Sequence, residues 1–270
     1  MKRINKIDYN RYMLKQKTNE YKASEIDISE SEYKQIMNKY ELVYDEQFEN
    51  DKYNSLFWEE VAAGPSWWNS TMGIRPVVLS TTNYGKFIRF YARKVNTSFM
   101  TAGLKTPIAY GDGKFECEAR FKSGKSSWPA IWLCHPNGSL NNYEKYFEVD
   151  ISEYYETRDV TEVTYHCPSS MRGEGYLVPQ AKPAINKNDW NKFECSWDED
   201  SITVCINGQQ VMNIPNDGDP THFPINAEDR TFNIILSMQY GSNPYLNEPD
   251  LSELPLQMDV RNIKYSKKVS

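Results

Sequence analysis

The sequence predicts an all-β protein, a two-sheet β-sandwich or jelly roll, and three observations carry that expectation. From Tyr44 onward, short apolar-rich segments recur about every ten residues between turn signals. No stretch alternates a strand with a long helix, so a parallel α/β sheet is disfavoured. Asn207-Gly208 joins Ile202-Thr-Val-Cys-Ile206 to Gln209-Gln-Val-Met-Asn-Ile214, the residue pair that a tight hairpin turn selects.

Residues 1–40 are polar and charged, with scattered apolar positions, and read as a partly helical arm. A helix is expected over 29–40, capped by Ser29 or Ser31, with Glu32 at capping-box spacing from Ser29. Residues 41–270 form the β domain. Its strands are expected at 77–80, 86–95, 100–106, 113–122, 129–134, 146–152, 160–167, 192–197, 201–206, 209–214, 231–240 and 257–265. The Asp198-Glu-Asp200 run supplies the turn between two of them.

Composition sets further bounds. Of 270 residues, 39% are hydrophobic and 25% charged, enough for a large core and against wholesale disorder. The net charge of −6, without a long basic run, argues against a nucleic-acid partner and fits a neutral polymer. Aromatic content is 14%, with 7 Trp and 19 Tyr. Such rings either fill a core or stack on the apolar faces of sugars. The five cysteines match no zinc or redox spacing, and a Cys195–Cys205 bridge across a hairpin is one reading of the last two. The N-terminus has positive charge but no apolar run of a signal peptide, and no segment is apolar for long enough to span a membrane.

The segment Tyr146-Phe-Glu-Val-Asp-Ile-Ser-Glu153 carries the chemistry. Side chains alternate across a strand, so Phe147, Val149 and Ile151 face the core, with Glu148, Asp150 and Ser152 opposite. A row of like charges on one face is destabilising and needs a purpose. Strict alternation turns Glu153 into the core, where a charge is costly. One extra residue, a β-bulge at Ile151 or Ser152, returns it to the carboxylate face. Three carboxylates there suit retaining glycoside hydrolysis, in which the two catalytic carboxyls stand about 5–5.5 Å apart. On spacing alone, a solvated acidic strand and a calcium site are the alternatives.

Glu148-Val-Asp-Ile-Ser-Glu153 resembles the E-x-D-x-x-E signature of glycoside hydrolase family 16 in its bulged branch. Trp128-Pro-Ala-Ile-Trp-Leu133 resembles that family's preceding strand, and Thr101-Ala-Gly-Leu-Lys-Thr106 and Gly113-Lys-Phe-Glu-Cys-Glu-Ala-Arg120 its earlier ones. Tyr44-Asp-Glu-Gln-Phe48 with Trp58, Asn191-Lys-Phe-Glu-Cys-Ser-Trp197 and Met258-Asp259 extend the likeness over residues 41–268. The resemblance implies a concanavalin A-like jelly roll with an open concave cleft, and endo-acting, retaining cleavage of a β-glycan. By it, Glu148 is the nucleophile, Asp150 the assisting carboxylate and Glu153 the acid/base. β-1,3(4)-Glucan is the first substrate expectation, β-galactan or mucin-type glycan the second. A non-catalytic sugar-binding module or phage adhesin is the rival class. Leu104, where many β-1,3-glucanases carry Arg, and Leu236-Ser-Met-Gln-Tyr-Gly241, which lacks the usual Gly pair, depart from the glucanase pattern.

Substrate contacts are expected from Trp128 and Trp132, which share a strand face, with core packing as the alternative. Trp67 and Trp68 follow a Gly-Pro loop signal and suit a cleft rim, or plain surface packing. His166 is placed by the resemblance near the acid/base. Glu116, with Arg120 on the same polar strand face, and Gln239 complete the set, Glu116 and Arg120 pairing with each other in the alternative reading. No cofactor is expected for catalysis. The resemblance implies one structural Ca2+ held by Asp259 and the Gly85 carbonyl. A polysaccharide substrate places the protein outside the cell or on its surface, with a phage particle as the alternative, and as a monomer unless the arm docks to a partner.

Overall fold

A computed structural model of the chain describes residues 2–3, 27–28, 39–61, 71–72, 74–138, 143–156, 158–174, 178–241 and 247–269. The strands run β1 (Lys2–Arg3), β2 (Asp27–Ile28), β3 (Tyr40–Asp45), β4 (Glu59–Glu60), β5 (Thr71–Met72), β6 (Val77–Thr81), β7 (Gly85–Val95), β8 (Ser98–Thr101), β9 (Gly103–Lys105) and β10 (Gly113–Lys122). They continue with β11 (Ser127–Cys134), β12 (Glu148–Glu153), β13 (Glu162–His166), β14 (Gln180–Ala181), β15 (Asn191–Trp197), β16 (Ser201–Ile206), β17 (Gln209–Pro215), β18 (Asn233–Tyr240) and β19 (Leu256–Lys268). A single helical turn, α1 (Pro168–Arg172), follows β13.

Two sheets make the sandwich. The ten-stranded sheet runs β17-β16-β15-β10-β19-β7-β8-β5, with β3 on β19 and β6 on β7. The seven-stranded sheet runs β14-β13-β12-β11-β18-β9-β4. The jelly-roll fold expected from the sequence is therefore present. Alternation builds it: along β10, Phe115, Cys117, Ala119 and Phe121 are buried, and the residues between them are partly exposed. The inward faces of β11, β12, β13 and β18 meet them in one continuous core that includes Ile131, Leu133, Val149, Ile151, Val163, Tyr165, Leu236 and Met238. Full burial of each such side chain contributes about 1.5–3 kcal/mol.

Several expectations change here. The strand expected over 100–106 is split: β8 belongs to the ten-stranded sheet and β9 to the seven-stranded one. The crossing falls at Ala102, a small, fully buried residue. The turn between β16 and β17 has positive φ at both Asn207 (50°) and Gly208 (83°), the conformation that favours this pair. Cys195 and Cys205 do not bridge, and all five cysteines are free. Cys195 pairs with Val204 and Cys205 with Glu194, so the two thiols lie on opposite faces of the sheet. The helix expected at 29–40 falls outside the described residues up to 38, and Tyr40 opens β3.

Candidate active site

The site lies on the outer face of the seven-stranded sheet, and a bulge builds it. Between β12 and β11, Glu148 pairs with Cys134, Asp150 with Trp132, Ser152 with Ile131 and Glu153 with Ala130. Asp150 and Ser152 are two residues apart, whereas Trp132 and Ile131 are adjacent, so Ile151 is the inserted residue. The β13 ladder is interrupted over the same stretch. Ile151 and Ser152 are both fully buried, and Ser152 shares a 2.7 Å hydrogen bond with Thr161. This corrects the expected outward direction of Ser152: the bulge turns two consecutive side chains inward. Glu148, Asp150 and Glu153 then lie opposite Cys134, Trp132 and Ala130, alternate residues that share a face.

Neighbouring side chains wall this face. Asp150 is 5% and Glu153 9% exposed although, among the described residues, no further sheet covers this face. Trp128 Nε1 donates to Glu153 Oε1 at 2.8 Å. Tyr155 also hydrogen-bonds Glu153 and packs on Trp128 with ring centroids 5.1 Å apart. Tyr146 donates its hydroxyl to Glu148 Oε2 at 3.1 Å. His166 pairs directly with Glu148 across the ladder, and its Nε2 lies 3.4 Å from Asp150 Oδ2. Trp132 Nε1 donates to Ser237 Oγ at 3.2 Å, and Gln239 sits opposite Trp128 on β18.

Electrostatics follow from this burial. Burial, then the charge of Asp150, pushes Glu148 up to about 8, against His166 and the Tyr146 hydrogen bond. Burial raises Asp150 to about 7. Burial, then Asp150, raises Glu153 to about 8, opposed by Tyr155, Trp128 and His166. The three carboxyls titrate as one group. Burial and mutual repulsion disfavour full ionisation of the cluster, so a proton is retained more readily than on a free carboxylate. It can therefore offer an acid and a nucleophile together.

The structure gathers Glu148, Asp150, Glu153, Trp128, Trp132, His166 and Gln239 on one sheet face. Glu116 is not among them. Its strand β10 lies in the other sheet, where Glu116 points outward to Lys114 and to Lys192 at 3.1 Å. β10 alternates as expected, but nothing local says which sheet a strand joins. Arg120, expected as its partner, binds Asp259 instead. Trp67 and Trp68 lie outside the described residues. Sequence reasoning passed over Tyr146 and Tyr155, although each stands two residues from a carboxylate and so shares its face.

Asp259 does not fit a calcium ligand. Both of its oxygens are taken by guanidinium groups: Arg89 donates at 2.6 and 2.8 Å, and Arg120 at 3.0 Å. Two fixed positive charges oppose a cation there, and calcium needs several oxygens converging. Gly85 opens β7 with φ of 66°, a conformation that favours glycine. Glu148, Asp150 and His166 also bring ligand atoms within 4.8 Å of one another. An imidazole among them suits calcium poorly.

Comparisons with known proteins bear on the family and the fold. Residues 100–264 match the family model described as the 3-keto-alpha-glucoside-1,2-lyase-like domain. The chain belongs to that family. Its relatives also bear out the likeness to glycoside hydrolase family 16. A keratan-sulfate endo-1,4-beta-galactosidase of Sphingobacterium multivorum is 24% identical over 237 residues, 84% of this chain and 55% of that protein. A glucan endo-1,3-beta-glucosidase of Cryptopygus antarcticus is 27% identical over 56% of this chain and 58% of its own length. The chain thus spans about half the length of the curated relatives it matches. Among solved structures, a laminarinase from Flavobacterium sp. UMI-01 superposes with a TM-score of 0.69 at 18% identity, covering 84% of this chain and 100% of that one. A non-specific endo-beta-1,3(4)-glucanase described as from family GH16 gives 0.71 at 17% identity over 85% and 95%. These two likenesses show the shared fold.

Proposed function

We propose that the chain is a retaining endo-β-glycanase that hydrolyses internal linkages of a polysaccharide by double displacement, with β-1,3(4)-glucan the first candidate substrate. The observation that carries this reading is the bulge at Ile151, which sets Glu148, Asp150 and Glu153 on one walled sheet face. Glu153, held by Trp128, protonates the leaving glycosidic oxygen. Glu148, fixed by Tyr146, attacks the anomeric carbon and forms a glycosyl-enzyme. Glu153 then takes a proton from water, which releases the sugar with its configuration retained. Asp150 sits between them and favours the state in which one Glu is protonated and the other ionised. Trp128 and Trp132 offer rings for stacking, with His166 and Gln239 as polar contacts. Residues 41–270 are the hydrolase domain in this reading and residues 1–40 an arm. Its polymeric substrate places the action outside the cell. Among the described residues, no helix is long and apolar enough to cross a membrane.

The relatives support both a glucan and a galactan as substrate, so a panel of polymers decides between them. Reducing ends released from laminarin, mixed-linkage glucan, agarose and keratan sulfate are the readout. Release from at least one, with a spread of oligosaccharides at early times, is expected. No release from any β-glycan contradicts the reading. The family description names a 1,2-lyase of 3-keto-glucosides, which favours, as a second reading, elimination from a sugar whose 3-keto group acidifies the C2 proton, with the glycosidic oxygen leaving from C1. An unsaturated sugar at the new chain end would support it.

A further inference from the structure

Beyond Glu153, the same sheet face carries a second charged group that the hydrolytic steps do not use. Glu162 pairs directly with Glu153 across β12 and β13, so the two share a face. Val163 and Tyr165 turn into the core on either side of Thr164, which fixes the direction of Glu162. Arg158 Nη1 reaches Glu162 at 2.7 Å, and Lys182 Nζ reaches the same oxygen at 3.0 Å. Gln180 donates to its other oxygen at 3.2 Å. The carboxylate lies beneath, with its side chain 10% exposed, and the cations stand above it at 45% and 53%. Within this group two cations meet one carboxylate, one positive charge in excess, and the charge of Arg158 also acts on Glu156.

This group also continues the aromatic wall of the site. The Arg158 guanidinium lies 5.2 Å over the Tyr155 ring, and Tyr155 packs on Trp128, which holds Glu153. A chain of contacts therefore runs from the proposed acid/base to the cations. Arg158 spends one nitrogen on Glu162, and a guanidinium fork can bind two anions at once. The opposite side of the sheet differs: Lys105 is matched by Glu59 at 3.1 Å, and Arg75 by Glu60 at 3.0 Å, one to one.

We propose that Arg158 and Lys182, seated on Glu162, form a subsite for an anionic substituent, a sulfate ester or carboxylate, on the sugar next to the bond cleaved, on the leaving-group side. The assignment of that side rests on Glu153 being the acid. Within the galactan alternative, the subsite favours a sugar that carries such a substituent over its unsubstituted form, through charge-assisted hydrogen bonds that water and salt weaken only in part.

Binding tests this apart from turnover. Titration of the full chain with a sulfated galactan oligosaccharide, its chemically desulfated form and a uronate-containing oligosaccharide gives three dissociation constants. An affinity about tenfold greater for the sulfated than the desulfated sugar is expected, shrinking as NaCl rises from 20 to 500 mM. The Arg158→Gln/Lys182→Gln double variant is expected to lose that ratio, while circular dichroism reports an intact fold. Preference for sulfate alone or for carboxylate as well identifies the substituent. Equal affinities in the wild type, or a ratio that survives in the double variant, overturn the proposal. Absence of cleavage of every polymer contradicts the hydrolase reading instead, and leaves the affinity ratio to be read independently.

Discussion

Glu148 and Glu153 differ in the partners that hold them. Glu148 receives a phenol hydroxyl and faces His166, whereas Glu153 receives an indole N–H and a second phenol. Glu148→Gln keeps size and hydrogen bonding but removes the proposed nucleophile. Turnover is expected to fall by about 10⁴-fold with the fold unchanged by circular dichroism. Retention of near-normal activity would show that another group attacks. The raised carboxyls also make a stability prediction. Glu153 stands at about 8 in the folded protein against 4.5 for an unperturbed Glu. Between those values the native state holds a proton that the unfolded chain has released. The stability present at low pH is therefore lost as pH rises through about 8. Glu153→Gln removes that loss, so its melting temperature is expected to exceed the wild type's at pH 8 by about 2–4 °C. At pH 5 the gap closes. An equal gap at both pH values would contradict the assignment of the proton. Activity should fall on the alkaline side near the same pH, as the last proton leaves the cluster.

At the scale of one strand, the bulge that absorbs the extra residue at Ile151 decides whether Glu153 faces outward with Glu148 or into the core. Inserting Ala between Ser152 and Glu153 reverses the parity again. That variant is expected to lose activity below detection and to melt several degrees lower, because a carboxylate enters the core. Deleting Ile151 keeps parity, since the shortened row alternates regularly, and should retain measurable activity despite the lost core side chain. Activity assays on the two variants separate parity from mere disruption. This strand was legible in the sequence because the alternation Phe147, Val149, Ile151 conflicts with a charged Glu153, and only a bulge resolves the conflict. Which sheet a strand joins was not legible. Glu116 alternates as cleanly as Glu148, yet β10 pairs with β15 and β19, and that choice is made by contacts far away in sequence. The partners of Glu162 were hidden for the same reason, since Arg158 and Lys182 reach it from different segments.

Across the whole molecule, the seven-stranded sheet carries the proposed site and the ten-stranded sheet backs it. On the far side, Arg89 and Arg120 clamp Asp259, and Tyr84, Phe87 and Trp190 stack around the guanidinium of Arg120 at 4.6–5.5 Å. Arg261 lies 4.1 Å over the Trp190 ring. A carboxylate held by two arginines ties β7, β10 and β19 together where the resemblance placed a cation. Arg89→Met is expected to lower stability by about 1–2 kcal/mol, discounted because both guanidiniums remain partly exposed. Chelator and added calcium should each leave the melting temperature unchanged in the wild type. A rise of several degrees with calcium would show that the clamp yields to the ion. All of this serves one claim, that two glutamates on one sheet face act in succession on a single anomeric centre. Proton NMR of the first sugar released from a cleaved β-glycan tests it most directly. The β-anomer is expected at the earliest time points, followed by mutarotation; an α-anomer appearing first would contradict double displacement.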